Sequence, residues 1–257
     1  MALNPTVFRT RSLTAIVFVV VMLSGLLWNQ WSFFILFSTI HFGCWIEYHK
    51  IVSKIDPGYQ KISAVHKYGI MLAGWCLMLF FTNEAFKIGA IEPYRVQWWW
   101  PFVFLALVPL IDLLSTKKIN LKAVGHSFLG VIYISLSCGL MIYLRTVGMV
   151  LVNNSYNDFF AFVLPCVLIF SIWINDTMAY VVGSLIGRTP LSSISPKKTW
   201  EGTAGGAILA VVVVAITTAG LDMDWKHCAI IAAIAAIAGT IGDLFESKLK
   251  RLAGVKD

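Results

Sequence analysis

The feature that most constrains this chain is a succession of apolar runs, most of them close to the roughly 20 residues that a helix needs to cross a bilayer. They fall at about 13–28, 31–46, 69–86, 98–115, 124–144, 159–182, 203–220 and 228–244. In 257 residues they leave little chain for anything else. Composition agrees: 58% of the residues are hydrophobic and 13% charged, and the mean hydropathy is +0.79. A soluble domain carries about 25% charged residues, so too few polar side chains remain here to cover a water-facing globule. The sequence therefore predicts an all-α polytopic membrane protein with about eight transmembrane helices. Period-two alternation is absent from these runs, which excludes an outer-membrane barrel. The first two runs are joined by little more than Asn29-Gln30 and predict a tight helical hairpin, not a cleavable leader.

Basic residues set the orientation. With the N-terminus in the cytoplasm, sixteen of the 20 lysines and arginines fall in cytoplasmic segments. Only Lys87, Arg95, Arg145 and Lys226 fall on the other side. Both termini are thus expected in the cytoplasm of a multi-pass inner-membrane protein, and the net charge of +7 is concentrated on that face. Insertion topology and attraction to anionic membrane lipids account for most of this charge. A nucleic-acid role would require a soluble basic module, and the chain has none. Residues 1–257 read as one integral membrane domain, with N-terminal helices over 1–160 and motif-bearing helices over 161–257.

Several patterns do not carry chemistry. The five cysteines are scattered singly, without a Cys-x-x-Cys pair, and the five histidines show no metal-ligand spacing. "GSLIGRT" at 183–189 lacks the lysine and spacing of a P-loop. "GTAGG" at 202–206 lies in no βαβ unit, so Gly202 and Gly206 are expected to serve close helix packing.

Three polar segments remain, all assigned to the cytoplasmic face. "INDTMAY" at 174–180 places Asp176 within the sixth apolar run. A carboxylate costs about 2.5–3.5 kcal/mol at the bilayer centre, so it serves either a partner on a neighbouring helix or a site. "SPKKTWEGTAGG" at 195–206 sets Lys197 and Lys198 before the seventh run. Pro196 fits the first turn of a new helix, whose N–H groups and dipole would join the ammonium groups in attracting phosphate. A solvated, topology-setting loop is the other reading. In "GDLFESKLKRLAGVKD" at 242–257, helical geometry brings Asp243, Glu246, Ser247, Lys250 and Arg251 within an arc of about 140°. Carboxylates at the membrane end could hold Mg²⁺ while cations further out hold phosphates. An amphipathic helix with pairs such as Glu246–Lys250 would show the same stripe.

Taken together, "SPKKTWEG" and "GDLFESKLKRLAGVKD" resemble the CDP-diacylglycerol synthase (phosphatidate cytidylyltransferase) family. Ser247, Lys250, Arg251, Lys256 and Asp257 match its Ser-x-x-Lys-Arg-x4-Lys-Asp pattern in order and spacing. "NDTMAYVVGSLIGR" resembles the segment preceding the family's Ser-Pro-Lys-Lys loop. The resemblance implies transfer of CMP from CTP to phosphatidic acid, with Mg²⁺ and room for a second, monovalent or divalent, cation. It implies phosphate-binding roles for Lys197, Lys198, Lys250, Arg251 and Lys256. Substrate contacts are expected from Ser195, Asp176, Glu201 and Ser247, and metal ligation from Asp243, Glu246 and Asp257. The family pattern continues beyond the Lys-Asp pair to further acidic residues, whereas this sequence stops at Asp257, so the resemblance also implies a further metal carboxylate beyond it. A homodimer, an ether-lipid or polyprenol phosphate as acceptor, and a small secondary transporter are the alternatives left open.

Overall fold

The computed structural model describes residues 5–82, 86–87, 93, 99, 103, 106–107, 110, 120–150 and 158–255. The described elements are helical: α1 (Pro5–Leu27), α2 (Gln30–Ile55), α3 (Pro57–Gln60), α4 (Ala64–Phe80), α5 (Leu121–Gly130), a π turn (Val131–Leu136), α6 (Ser137–Val150), α7 (Asp158–Ile186), α8 (Trp200–Gly220) and α9 (Trp225–Leu252). Among the described residues, four helical stretches are long and apolar enough to cross a membrane: Leu121–Val147, Ala161–Ile186, Trp200–Gly220 and Trp225–Leu252. Leu13–Leu27 and Ala64–Phe80 are shorter apolar helices. The fourth expected run, 98–115, lies almost wholly outside the described residues.

Contacts divide the chain into two compact units. The first comprises Met1–His49 and Lys61–Phe162. Its interior holds buried polar side chains that are paired locally. Within the π turn, the Ser135 hydroxyl accepts from Trp45 Nε1 at 3.0 Å and meets His41 Nε2 at 3.0 Å. His66 Nε2 meets the Ser127 hydroxyl at 2.7 Å, so these histidines are packing residues. Arg145, expected in an extracytoplasmic loop, is instead buried at 4% exposure. Its Nη1 donates to the Leu26 carbonyl at 2.9 Å and its guanidinium lies over the Phe33 ring. Leu26 is in the last turn of α1, where carbonyls lack helical partners, so the arginine serves as a C-terminal cap.

The second unit, Lys50–Gln60 and Val163–Asp257, carries the three polar segments. Val167 of α7, Val214 of α8 and Cys228 and Ala232 of α9 form its buried cluster. On α9 the small Ala232, Ala235 and Ala236 face inward. Ile230, Ile234, Ile237 and Ile241 are each about 60% exposed. Small residues inside and branched aliphatics outside is the arrangement of a helix whose outer face meets lipid. Asp224 caps α9, accepting from the backbone N–H groups of Lys226 and His227, and its carboxyl is held below the usual range by the His227 side chain.

Candidate active site

Two glycines place α8 directly on α7. A Cβ at Gly202 would stand 2.7 Å from the Ala179 carbonyl, and one at Gly206 would stand 2.6 Å from the Asn175 carbonyl. Any larger residue would force the helices apart, so the expected packing role of both glycines holds. This contact sets the Asn175–Asp176 turn of α7 beside the start of α8.

Between the helices, residues 187–199 fold into a loop pinned at its neck. Pro190 and Thr199 form an antiparallel bridge, Leu191 N–H donates to the Lys198 carbonyl at 2.8 Å, and Trp200 N–H donates to the Thr189 carbonyl at 2.9 Å. The Glu201 carboxylate accepts from the backbone N–H groups of Arg188 at 3.1 Å and Thr189 at 3.2 Å. Pro196 lies in a separate turn, in which Lys198 N–H donates to the Ser195 carbonyl at 3.1 Å. The expectation that Pro196 opens the helix is therefore corrected: α8 begins at Trp200, and Thr199 is its cap, accepting from Gly202 N–H. A threonine hydroxyl satisfies an N-terminal N–H group, which a proline cannot do.

An inner cavity of about 470 Å³ opens between this loop and the helices. Asp176 of α7, Asp243 of α9 and Lys197 and Lys198 of the loop all line it. Lys198 Nζ lies 2.5 Å from Asp243 Oδ2. Asn175 Nδ2 donates to Asp176 Oδ1 at 3.3 Å, while Asn175 Oδ1 is buried without a hydrogen-bond partner. Thr199, Thr203 and Thr240 add hydroxyls to the lining. A second, outer cavity of about 310 Å³ is lined by Lys197, Lys250, Arg251, Ser195 and Ser247. Ser195 and Lys197 belong to both walls.

The predicted residues thus separate. Asp176, Lys198 and Asp243 meet in the inner cavity; Ser247, Lys250 and Arg251 line the outer one. Glu201 lines neither and holds the loop neck. Glu246 also lines neither and pairs with Lys250 at 2.8 Å, the helical pair weighed from the sequence. Lys256 and Asp257 lie outside the described residues. Sequence reasoning passed over Asn175, Thr203 and Thr240. Thr240 precedes Asp243 by three residues, so helical spacing alone would have put it on the same face.

Among the described residues no group of three histidine, cysteine or acidic side chains gathers around one point. The inner cavity offers two carboxylates, the orphaned Asn175 Oδ1 and hydroxyls. An all-oxygen set with few carboxylates fits Mg²⁺, which keeps several waters and shares substrate phosphate oxygens.

The model of the cytidylyltransferase family matches residues 9–257. The chain belongs to that family. A phosphatidate cytidylyltransferase of Staphylococcus haemolyticus is 30% identical over 210 residues, covering 73% of this chain and 78% of that protein. The Bacillus subtilis enzyme of the same name is 30% identical over 192 residues, 74% of this chain and 66% of the relative. The Aquifex aeolicus phosphatidate cytidylyltransferase is 40% identical over 92 residues, a match that spans only 34% of that protein. Membership in a cytidylyltransferase family sets aside the transporter reading.

Proposed function

We propose that this cytidylyltransferase transfers CMP from CTP to phosphatidic acid, giving CDP-diacylglycerol and pyrophosphate. The observation that carries the reading is the shared wall of Ser195 and Lys197 between a carboxylate-bearing cavity and a cationic one. A phosphatidate oxygen attacks the α-phosphorus of CTP and forms a P–O bond there. The bond from the α-phosphorus to the bridging oxygen breaks, and pyrophosphate leaves with the electron pair. The acceptor phosphate is itself the nucleophile, so no covalent enzyme intermediate is required.

The chain's own residues position and neutralise. Lys197 and Lys198 present ammonium groups to phosphate oxygens from a loop that Glu201 keeps closed at its neck. Asp176 and Asp243 would hold Mg²⁺, with Asn175 Oδ1 beside them. That ion would supply charge neutralisation on the phosphate oxygens. Asn175 also holds Asp176 by its amide hydrogen bond, which fixes the carboxylate's direction.

The protein spans the inner membrane several times, with the site and both termini facing the cytoplasm, where CTP is dissolved. The distribution of basic residues supports this orientation. A homodimer is compatible with it. The test is an assay of purified protein with labelled CTP and a panel of lipid phosphates: phosphatidate, an ether-lipid analogue and a polyprenyl phosphate. Mg²⁺-dependent CDP-diacylglycerol formation supports the reading. Turnover of another acceptor, with phosphatidate inert, overturns it.

A further inference from the structure

We infer that Tyr180 is a specificity-determining residue: its phenol donates a hydrogen bond to an ester carbonyl of the acceptor lipid, which selects ester-linked over ether-linked lipid phosphates. The inference rests on the cytidylyltransferase reading above and names the part of the acceptor, beyond its phosphate, that the protein recognises.

The first argument is the way α7 shares out its faces. Its Asn175, Ala179 and Gly183 are the residues that Gly202 and Gly206 of α8 approach. One step round the helix, Asp176, Tyr180 and Ser184 follow each other at four-residue spacing and all line the inner cavity. A further step round, Val181 and Leu185 are exposed. In a helix long and apolar enough to cross a membrane, that exposed aliphatic row is the one that meets lipid. Tyr180 is itself 77% exposed while lining the cavity. It therefore stands on the rim where cavity and lipid meet.

Depth is the second. Tyr180 lies just inside the end of the apolar run 159–182, and about 9 Å along the axis from the end of α7 at Ile186. Tyrosine concentrates at this level of a membrane, its ring in an apolar layer and its hydroxyl in a polar one. Helical side chains lean toward the helix N-terminus, so the ring covers the turn of Asp176, toward the middle of the span. The ester groups of a glycerolipid occupy this same boundary between headgroup and hydrocarbon.

The third is the use of donors around the cavity. Ser184 and Thr240 also line it, yet their hydroxyls donate to the Val181 and Ala236 carbonyls at 2.8 and 2.9 Å. Asn175 Nδ2 donates to Asp176. Among the described residues the Tyr180 hydroxyl has no hydrogen-bond partner. A donor that leaves water for the headgroup boundary loses free energy unless it finds an acceptor. A fatty ester brings a carbonyl oxygen to that level, and an ether-linked chain brings none. The two lipids carry the same phosphate, so the lysines and carboxylates of the cavity do not tell them apart.

The experiment uses the full chain in mixed micelles, with CTP, Mg²⁺ and either phosphatidate or its dialkyl ether analogue of equal chain length. The wild type should favour the ester roughly fivefold in kcat/KM, which corresponds to one net hydrogen bond. Tyr180→Phe keeps the ring and removes the donor, so the ratio should fall to within about twofold of unity. Tyr180→Leu, without ring or donor, should lose the ratio as well. Displacement of a fluorescent lipid phosphate by the same two lipids, without CTP, reads the preference as binding alone. Equal use of both lipids by the wild type overturns the inference, and so does a Phe variant that keeps the wild-type ratio. A tyrosine that only anchors α7 at the interface would lower both lipids together and leave the ratio in place. If the wild type makes CDP-diacylglycerol but neither ratio follows Tyr180, the ester contact fails and the activity stands. If the binding ratio follows Tyr180 but no CDP-diacylglycerol forms, the activity reading fails and the ester contact stands.

Discussion

Lys198 and Asp243 are joined across the inner cavity, Nζ to Oδ2 at 2.5 Å, linking the loop before α8 to the membrane-side end of the polar stripe on α9. Their side chains are 31% and 45% exposed, so the pair is partly solvated and contributes at most about 1 kcal/mol to stability. Each group sits where a substrate could take its partner: a phosphate can receive the ammonium, and a cation can receive the carboxylate. The pair keeps both charges balanced.

Asp243→Asn should therefore separate stability from chemistry. The thermal midpoint in detergent should move by only a few degrees, about 1 kcal/mol at most. CTP turnover with phosphatidate should fall at least about 100-fold, because a neutral amide binds Mg²⁺ far more weakly. Chelation of divalent cations should abolish wild-type turnover. Near wild-type turnover by the variant at low Mg²⁺ would remove Asp243 from the metal site.

Lys197→Gln and Lys198→Gln should each lower kcat/KM by roughly tenfold or more, since each removes a charge-assisted contact to phosphate. Neither should alter insertion. A cysteine placed at Ser195 should label from the cytoplasmic side only. Labelling restricted to the opposite side would invert the topology, and full activity in both lysine variants would leave the loop a topological one.

Glu201→Ala should loosen the neck of the 187–199 loop, because the N–H groups of Arg188 and Thr189 lose their shared acceptor. Limited proteolysis within the loop should speed up, and kcat/KM for CTP and phosphatidate should fall together by roughly tenfold as both lysines lose their placement. Glu201→Gln keeps one acceptor oxygen and should fall between. A loss confined to one substrate, with proteolysis unchanged, would instead make Glu201 a direct contact.

Gly206→Val should disturb the helix contact. Its Cβ would stand 2.6 Å from the Asn175 carbonyl and 2.8 Å from the Ala179 Cβ. Overpacking of this kind costs about 1–3 kcal/mol, or a thermal midpoint lower by roughly 3–10 °C. Activity should drop further than stability, since Asn175 and Asp176 move with the displaced helix. A variant with wild-type midpoint and turnover would show that α7 and α8 do not rely on this approach.

Ser135→Ala in the first unit offers a contrast. It strips the hydroxyl from Trp45 Nε1 and His41 Nε2 in a fully buried place, at a cost of about 1–3 kcal/mol for each polar group left alone. Thermal stability should fall while the KM values at permissive temperature stay at wild-type levels. A KM change at unchanged stability would assign this buried polar group to the reaction.

The sequence by itself determined the membrane class, the helical character of the apolar runs, the family, and the three polar segments whose residues line the two cavities. It could do so because these are local properties. A helix in lipid must satisfy its own backbone hydrogen bonds, so its span is written as a length of apolar residues. Motif residues are likewise read in order along the chain. Which carboxylate faces what was decided only in three dimensions. Asp176 and Glu201 were expected at the substrate and Asp243 and Glu246 at the metal, yet Asp176 and Asp243 line one cavity, Glu201 holds a loop by its backbone, and Glu246 pairs along its own helix. Arg145 looked like a loop charge and is a buried helix cap. A long polar side chain can reach several partners, and its choice depends on how closely the backbones around it approach. At this site the approach is set by the contacts of Gly202 and Gly206 with α7 and by the pinned neck of the loop, long-range relationships that no spacing within one segment contains.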